Sequence, residues 1–263
     1  MPEAEYHARP ELSSTQVRDL LKTPALYKHN LTATRKATAT FDVGSAVHAK
    51  VLGVGWGIEE LDFDSFRSKA AQEARDAARD AGLIPMLSKD LEDVHAMSEA
   101  VLAHGTARGL FESAPDREVS VFAEVDGVPV RCRFDALGPD ENLAIDLKTT
   151  LDASVGGFER SAAQYGYHVQ EAHYRATYEA SEGVDPRFVF VVVEKSAPHL
   201  VAIHKLSMLW GEMGAKEARE ARRLYAECTA KDEWPGYPED VQVLEPPAWS
   251  VVEHEMRFEQ EAY

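Results

Sequence analysis

The chain has 263 residues, of which 44% are hydrophobic and 28% are charged. This composition suits one large globular domain and excludes a disordered chain. The net charge of −17 argues against a protein that coats nucleic acid through bulk charge. No apolar run is long enough to span a bilayer, so we expect an intracellular protein without a membrane partner. The two cysteines, Cys132 and Cys228, are too few for a disulfide framework or a four-cysteine metal site.

The first third of the chain is predicted to be helical. Ser13 or Ser14 can cap a first helix that Pro24 ends or restarts. Further helices are predicted over Phe41–Leu52, Asp64–Ala81 and Ser88–His104.

Charge is unevenly distributed along the chain. Acidic residues dominate after Ala226, whereas the segment from Thr15 to Lys50 is rich in basic residues, namely Arg18, Lys22, Lys28, Arg35, Lys36 and Lys50. A surface that binds a polyanion should therefore involve the N-terminal part, with Lys22 and Lys28 as candidates. A solvated helix face explains the same charges.

The pattern changes to strands near Glu118. Apolar and polar residues alternate over Glu118–Val125 and Val128–Leu137, and the hairpin signal Asp126-Gly127 separates the two runs. Leu143–Lys148 alternates in the same way and predicts a third strand. Period-two alternation places Asp146 and Lys148 on one face of that strand.

The remaining elements alternate between helix and strand. A helix is predicted over Phe158–Ala180, strands over Arg187–Glu194 and Leu200–Leu206, and a long helix after Ser207. This order predicts an α/β fold with a mixed central sheet flanked by helices and a helical N-terminal elaboration. We divide the compact domain into a helical part (1–117) carrying His48, a core (118–232) and an irregular acidic tail (233–263).

Asp135, Asp146 and Lys148 form the main chemical constellation. If their strands are neighbours, two carboxylates and one amine converge on the sheet, which is costly unless a cation removes the repulsion. Oxygen ligands of this kind suit Mg²⁺ or Mn²⁺. A metal with a lysine is one solution for phosphodiester hydrolysis, because the metal activates water and polarises phosphate. An exposed cross-strand ion pair is the alternative for an isolated D-x-K.

Two further groups can complete this site. His48 follows the small residues Gly44, Ser45 and Ala46, which would let its helix approach the sheet closely. Gln170 and Tyr174 lie one helical turn apart, with Tyr167 on the same face, where they could contact DNA. The alternatives are a helix-surface or core histidine for His48, and a mixed polar face with its tyrosines packed at their edges for the helix.

Taken together, these motifs resemble RecB-type PD-(D/E)XK nucleases, and most closely the nuclease domain of the phage exodeoxyribonuclease VIII (RecE-like) group. The segments that carry the resemblance are Leu12-Ser-Ser, Leu21-Lys-Thr-Pro, Gly44-Ser-Ala-Val-His48, Arg133-Phe-Asp135, Ile145-Asp-Leu-Lys-Thr-Thr150 and Tyr165-Gly-Tyr-His-Val-Gln170. The resemblance runs from about Leu12 to Leu206. It implies a restriction-endonuclease-like core.

The resemblance also implies roles for individual residues. The metal ligands would be His48, Asp135, Asp146 and the backbone carbonyl of Leu147, and Lys148 would be catalytic together with Asp135 and Asp146. Glu118 would reach the metals through water, or be a hairpin-edge carboxylate. The implied DNA contacts, together with the basic candidates, are Gln170, Tyr174, Tyr167, Arg131, Arg133, Lys22 and Lys28.

The activity implied by the resemblance is Mg²⁺- or Mn²⁺-dependent digestion of duplex DNA from its ends, 5′ to 3′, in the cytoplasm of a bacterial or phage-infected cell. Such enzymes hand the exposed strand to a single-strand annealing protein, and several form closed homo-oligomers. A related branch with an iron–sulfur cluster needs four cysteines, so no cluster is expected here. Two alternatives stay open: a structure-specific or single-strand endonuclease with the same core, and a non-catalytic module that binds DNA ends or a recombinase.

Overall fold

The computed structural model describes residues 1–33 and 39–259. Its strands, numbered along the chain, are β1 (Ile58–Leu61), β2 (Ile84–Leu87), β3 (Asp116–Val125), β4 (Val128–Gly138), β5 (Leu143–Thr150), β6 (Arg187–Glu194) and β7 (Val201–His204). Its helices are α1 (Glu3–Ala8), α2 (Ser14–Lys22), α3 (Pro24–Thr32), α4 (Ala39–Leu52), α5 (Lys69–Asp80), α6 (Ser88–Ala103), α7 (Gly105–Ser113), α8 (Val155–Tyr165), α9 (Tyr167–Glu182), α10 (Met208–Lys231) and α11 (Ala248–Glu259).

Strands β3 to β7 form one sheet in chain order. The pairs β3–β4, β4–β5 and β6–β7 are antiparallel, whereas β5 and β6 are parallel and joined through α8 and α9. A helical crossover is the usual connection between parallel neighbours. The central sheet is therefore mixed, as the sequence predicts.

Helices cover both faces of this sheet. On one face, α4 and α6 pack on apolar residues of β5 and β6 such as Ile145 and Val191. On the other face, α9 packs on Phe134, Phe188 and Phe190, with α10 outside it. Because β5 contributes alternate residues to the two cores, it is buried on both sides. Strand β5 thus belongs to the sheet, which is the middle one of three layers.

The N-terminal residues join the α9 side of the core. Leu12 forms a parallel bridge with Val130 of β4, and α2 packs against α9 and α10. Ser13 caps α2 with a capping box closed by Gln16, as expected from the sequence. Helix α2 ends at Lys22, and Thr23 caps α3 directly afterwards.

Several elements differ from the sequence predictions. The two short parallel strands β1 and β2 lie within the part predicted to be helical. The helix predicted over Phe158–Ala180 is two helices, because Gly166 adopts a left-handed conformation (φ +66°) between α8 and α9. The tail predicted to be irregular contains α11.

Candidate active site

The site forms where β4 and β5 separate. Their backbone ladder ends at the pair Ala136 and Ile145. One residue further, the carboxylate of Asp135 takes the place of a backbone acceptor, because its Oδ2 accepts the N–H of Leu147 at 2.7 Å. This bond fixes the Asp135 side chain between the strands, beside the two residues that flank Leu147 in β5.

Asp146 is held from two sides. It is 4% exposed, its Oδ2 contacts the ammonium of Lys148, and its Oδ1 accepts the side-chain amide of Gln170 at 2.6 Å. Gln170 lies on α9, so the helix layer directly orients a carboxylate of the sheet. The predicted meeting of Asp135, Asp146 and Lys148 is observed.

His48 reaches the same place from the opposite face. Its Nδ1 lies 3.5 Å from Oδ2 of Asp135. The small residues before it allow the approach: Ala46 is fully buried, and a Cβ placed on Gly44 would lie 3.7 Å from Oγ1 of Thr149 in β5. Imidazole, two carboxylates and an ammonium therefore meet at one place, where Asp146 is buried and the other three groups are partly buried.

Burial and mutual charge set the protonation of this group. Burial raises the pKa of Asp146, although the Lys148 ammonium opposes it. Burial also acts to raise the pKa of Asp135, but His48 and Lys148 outweigh it and the pKa is lowered. Burial acts to lower the pKa of Lys148, but the two carboxylates raise it. Lys148 is therefore a cation, and Asp135 is the more readily ionised carboxylate.

The donor set fits a divalent cation. Within the described residues, Oδ2 of Asp146 is buried and accepts no hydrogen bond of ordinary geometry, so its contact is with the Lys148 ammonium. As the described side chains stand, no three His, Cys, Asp or Glu residues form a group that could hold a metal ion, so the fit rests on the chemistry of the donors and not on a preformed site. Two carboxylates and an imidazole are suitable ligands for Mg²⁺ or Mn²⁺.

An open cavity of about 350 Å³ adjoins the site. Its lining residues are Ser14, Thr15, Arg18, Lys148, Tyr165, Tyr167, Gln170 and Tyr174. The face predicted from Tyr167, Gln170 and Tyr174 does line one cavity. Gln170 is 6% exposed, and its amide donates to Asp146, so this bond holds the carboxylate in place.

Sequence reasoning missed that α2 and Tyr165 line this cavity. Ser14, Thr15 and Arg18 come from the N-terminal half of α2, and Tyr165 ends α8. The segments Leu12-Ser-Ser and Tyr165-Gly-Tyr lead into or contain these residues, but in the sequence they indicate only the family resemblance and not a cavity.

Three predicted residues lie on the neighbouring part of β3 and β4. Arg131 is 4% exposed, and its guanidinium packs on the Tyr6 ring and donates to the carbonyl of Arg9. Arg133 also packs on Tyr6, and its Nη1 lies 3.5 Å from Oε2 of Glu118. The predicted DNA contact of Arg131 is therefore corrected, because the N-terminal segment covers this side chain.

The predicted basic residues Lys22 and Lys28 lie away from the cavity. Lys22 lines a separate groove with His29 and Tyr237. The Lys28 ammonium lies 3.6 Å from Asp232 and 4.9 Å from the Trp234 ring centroid. Arg35 and Lys36, counted among the basic residues, lie outside the described residues. The structure does not bring Lys22 or Lys28 to the Asp135–Lys148 site.

Comparison with known families shows to which family the chain belongs. A family model described as a PDDEXK-like domain of unknown function matches residues 13–247. The chain belongs to this family. The match confirms the PD-(D/E)XK resemblance read from the motifs, and the PDDEXK-like domain includes every residue placed at the site.

Solved structures support the same fold. A candidate exonuclease from Eubacterium rectale superposes on the PDDEXK-like domain with a TM-score of 0.63, over 93% of this chain and 92% of that chain, at 14% identity. A phage-related exonuclease from Haemophilus somnus 129PT is 13% identical over 85% of this chain and 96% of that chain, with a TM-score of 0.35. No curated protein matches in sequence. The restriction-endonuclease-like fold is thus confirmed.

Within the described residues, no helix is both long and apolar enough to cross a membrane.

Proposed function

We propose that this protein is a divalent-metal-dependent exodeoxyribonuclease that hydrolyses duplex DNA from its ends. The observation that carries the proposal is the convergence of Asp135, Asp146 and Lys148 where β4 and β5 separate. A module that only binds DNA has no need to bring a buried carboxylate and a partly buried one together beside an ammonium, since such a cluster costs free energy in the absence of a ligand.

In this proposal each side chain has a distinct task. His48, Asp135, Asp146 and the carbonyl of Leu147 would hold Mg²⁺ or Mn²⁺, which supplies Lewis-acid polarisation of the phosphate and an activated water. Lys148 Nζ orients the attacking water and stabilises the charge that develops on the phosphate oxygens. Gln170 keeps Asp146 in place, and Glu118 contributes through water.

Attack at an end of the substrate is proposed on the family resemblance. The cavity beside Lys148, with a volume of about 350 Å³, is open and is bordered by α2 and by Tyr165, and it has room for one nucleotide unit. We propose digestion in the 5′ to 3′ direction, a homo-oligomeric assembly and a single-strand annealing protein as partner, all three on the family resemblance.

The experiment compares two DNA molecules of one sequence, a linear duplex and its covalently closed circle, with Mg²⁺ or with EDTA. The proposal expects Mg²⁺-dependent release of nucleotides from the linear molecule, no release in EDTA and an intact circle. Cutting of the circle would instead indicate an endonuclease. DNA binding without cleavage of either molecule would indicate a binding module.

A further inference from the structure

The cavity beside Lys148 is bordered by a series of aromatic rings. Tyr167 stacks on Phe158 and on Phe190, with interplanar angles of 29° in both cases. The ring of Tyr165 continues the series, 5.8 Å from Tyr167 and inclined by 30°. Lys148 Nζ lies 4.9 Å from the Tyr167 centroid, so the series leads from the hydrophobic core past the catalytic candidate to the cavity.

The last ring of this series is exposed. Tyr165 is 52% exposed, whereas Phe158 and Phe190 are buried. An exposed aromatic face that extends a packed stack offers an apolar surface to a flat partner, and nucleobases are such partners whatever their sequence.

The position of Tyr165 is fixed by contacts outside its own ring. Arg18 donates from Nη1 to the Tyr165 carbonyl at 2.5 Å, and from Nη2 to Oγ1 of Thr15 at 3.2 Å. Gly166 has φ +66°, and a Cβ there would lie 3.0 Å from Cδ of Arg18. Helix α2 therefore fixes the junction between α8 and α9 and holds the Tyr165 ring on a defined backbone. The same contacts place the Arg18 guanidinium on this wall of the cavity.

We propose that Tyr165 is a base-stacking residue, and that the cavity holds one unpaired nucleotide of the DNA strand next to the phosphate being cut. This inference rests on the proposed nuclease function. Inside a duplex both faces of an internal base are covered by its neighbours, but the terminal base has one open face that can lie on Tyr165. Because the cavity lies beside Lys148, we expect this base to leave its pair as the cut strand enters the site.

The test removes either the ring or the base. Tyr165→Ala, Tyr165→Phe and Tyr237→Ala are assayed on linear duplexes whose terminal nucleotide on the cut strand is intact or abasic. Tyr165→Ala should raise KM about 10-fold on intact ends and have little effect on abasic ends, because stacking is then already lost. Tyr165→Phe should recover most of the affinity. Tyr237 is 85% exposed and lines the separate groove that contains Lys22. Tyr237→Ala should therefore change KM by the same factor on intact and abasic ends.

A binding measurement separates this inference from the nuclease proposal. In Tyr165→Trp with Ca²⁺ in place of Mg²⁺, a single-stranded oligonucleotide should quench the added tryptophan fluorescence, and one with abasic positions should quench it far less. Equal quenching by both, or an equal loss of affinity for both ends in Tyr165→Ala, would overturn the stacking role. If quenching depends on the base but wild type cleaves no DNA, the nuclease proposal fails and the binding role stands.

Discussion

The side-chain amide of Gln170 on α9 donates to Oδ1 of Asp146 on β5 at 2.6 Å, and both residues are buried. The bond joins the two layers that build the site. It leaves Oδ2 of Asp146 facing Lys148. In the proposed metal site, Oδ2 would be the oxygen left for a cation.

Replacing Gln170 by Ala should therefore impair cleavage through the loss of its bond to Asp146. Loss of a partner that orients a metal-binding carboxylate typically reduces activity or metal affinity by about 10–100-fold. The buried carboxylate also loses its donor, which should lower the free energy of unfolding by about 1–3 kcal/mol. Cleavage rates at several Mg²⁺ concentrations and urea denaturation measure both effects. Gln72→Ala, on the exposed face of α5, is the matched control, and equal rates for the two variants would contradict the assignment.

His48→Ala tests whether the imidazole belongs to the metal site or only pairs with Asp135. If His48 is a ligand, its loss should raise the Mg²⁺ concentration for half-maximal cleavage by about 10-fold or more. Activity should recover in part at high Mn²⁺. The measurement is a metal titration of the cleavage rate. His95→Ala, an exposed histidine on α6, serves as control. An unchanged Mg²⁺ requirement would exclude His48 from the metal ligands.

Glu171, next to Gln170, predicts a pH effect on stability. Burial raises its pKa from 4.5 to about 7, although Arg175 opposes the shift. The folded state therefore binds the proton more tightly than the unfolded state. The stability that comes from protonated Glu171 is full below about pH 4.5 and is lost as the pH rises through 7.

Glu171→Gln should match the wild type near pH 5 and exceed its unfolding free energy by roughly 1–3 kcal/mol at pH 8. Denaturant unfolding across this pH range measures the difference. Glu179→Gln, exposed on the same helix, should follow the wild type at every pH. A stability difference for Glu171→Gln that does not vary with pH would contradict the burial of a protonated carboxyl.

Gly214 allows α10 to contact α9 closely. A Cβ at this position would lie 2.2 Å from the carbonyl oxygen of His168, a backbone atom, whereas a Cβ on Gly211 of the same helix meets nothing closer than 3.8 Å. Gly214→Ala should therefore lower the free energy of unfolding by about 1–3 kcal/mol or more. Gly211→Ala should be neutral or stabilising by up to about 1 kcal/mol. Thermal or urea unfolding measures the stability of both variants, and equal stability would contradict the close contact at Gly214.

The sequence predicts the site better than its surroundings. Alternation along β5 follows local geometry, so a common face for Asp146 and Lys148 could be predicted from period two. That Asp135 meets them was conditional on β4 and β5 being neighbours, which the structure shows. The partners of Gln170 and Arg131 could not, because each depends on where a distant segment packs: β5 for Gln170, and the residues around Tyr6 for Arg131. The break at Gly166 was hidden because apolar residues recur with helical spacing on both sides of it.

The most direct test of the central claim is single-turnover digestion of an end-labelled linear duplex with Mg²⁺ by wild type, Lys148→Ala and the exposed-lysine control Lys89→Ala. Circular dichroism would verify that all three are folded. The account predicts that Lys148→Ala reduces the rate by about 10²–10⁴-fold while Lys89→Ala digests like the wild type. A folded Lys148→Ala protein that digests the duplex at the wild-type rate would contradict the catalytic role of the β4–β5 site.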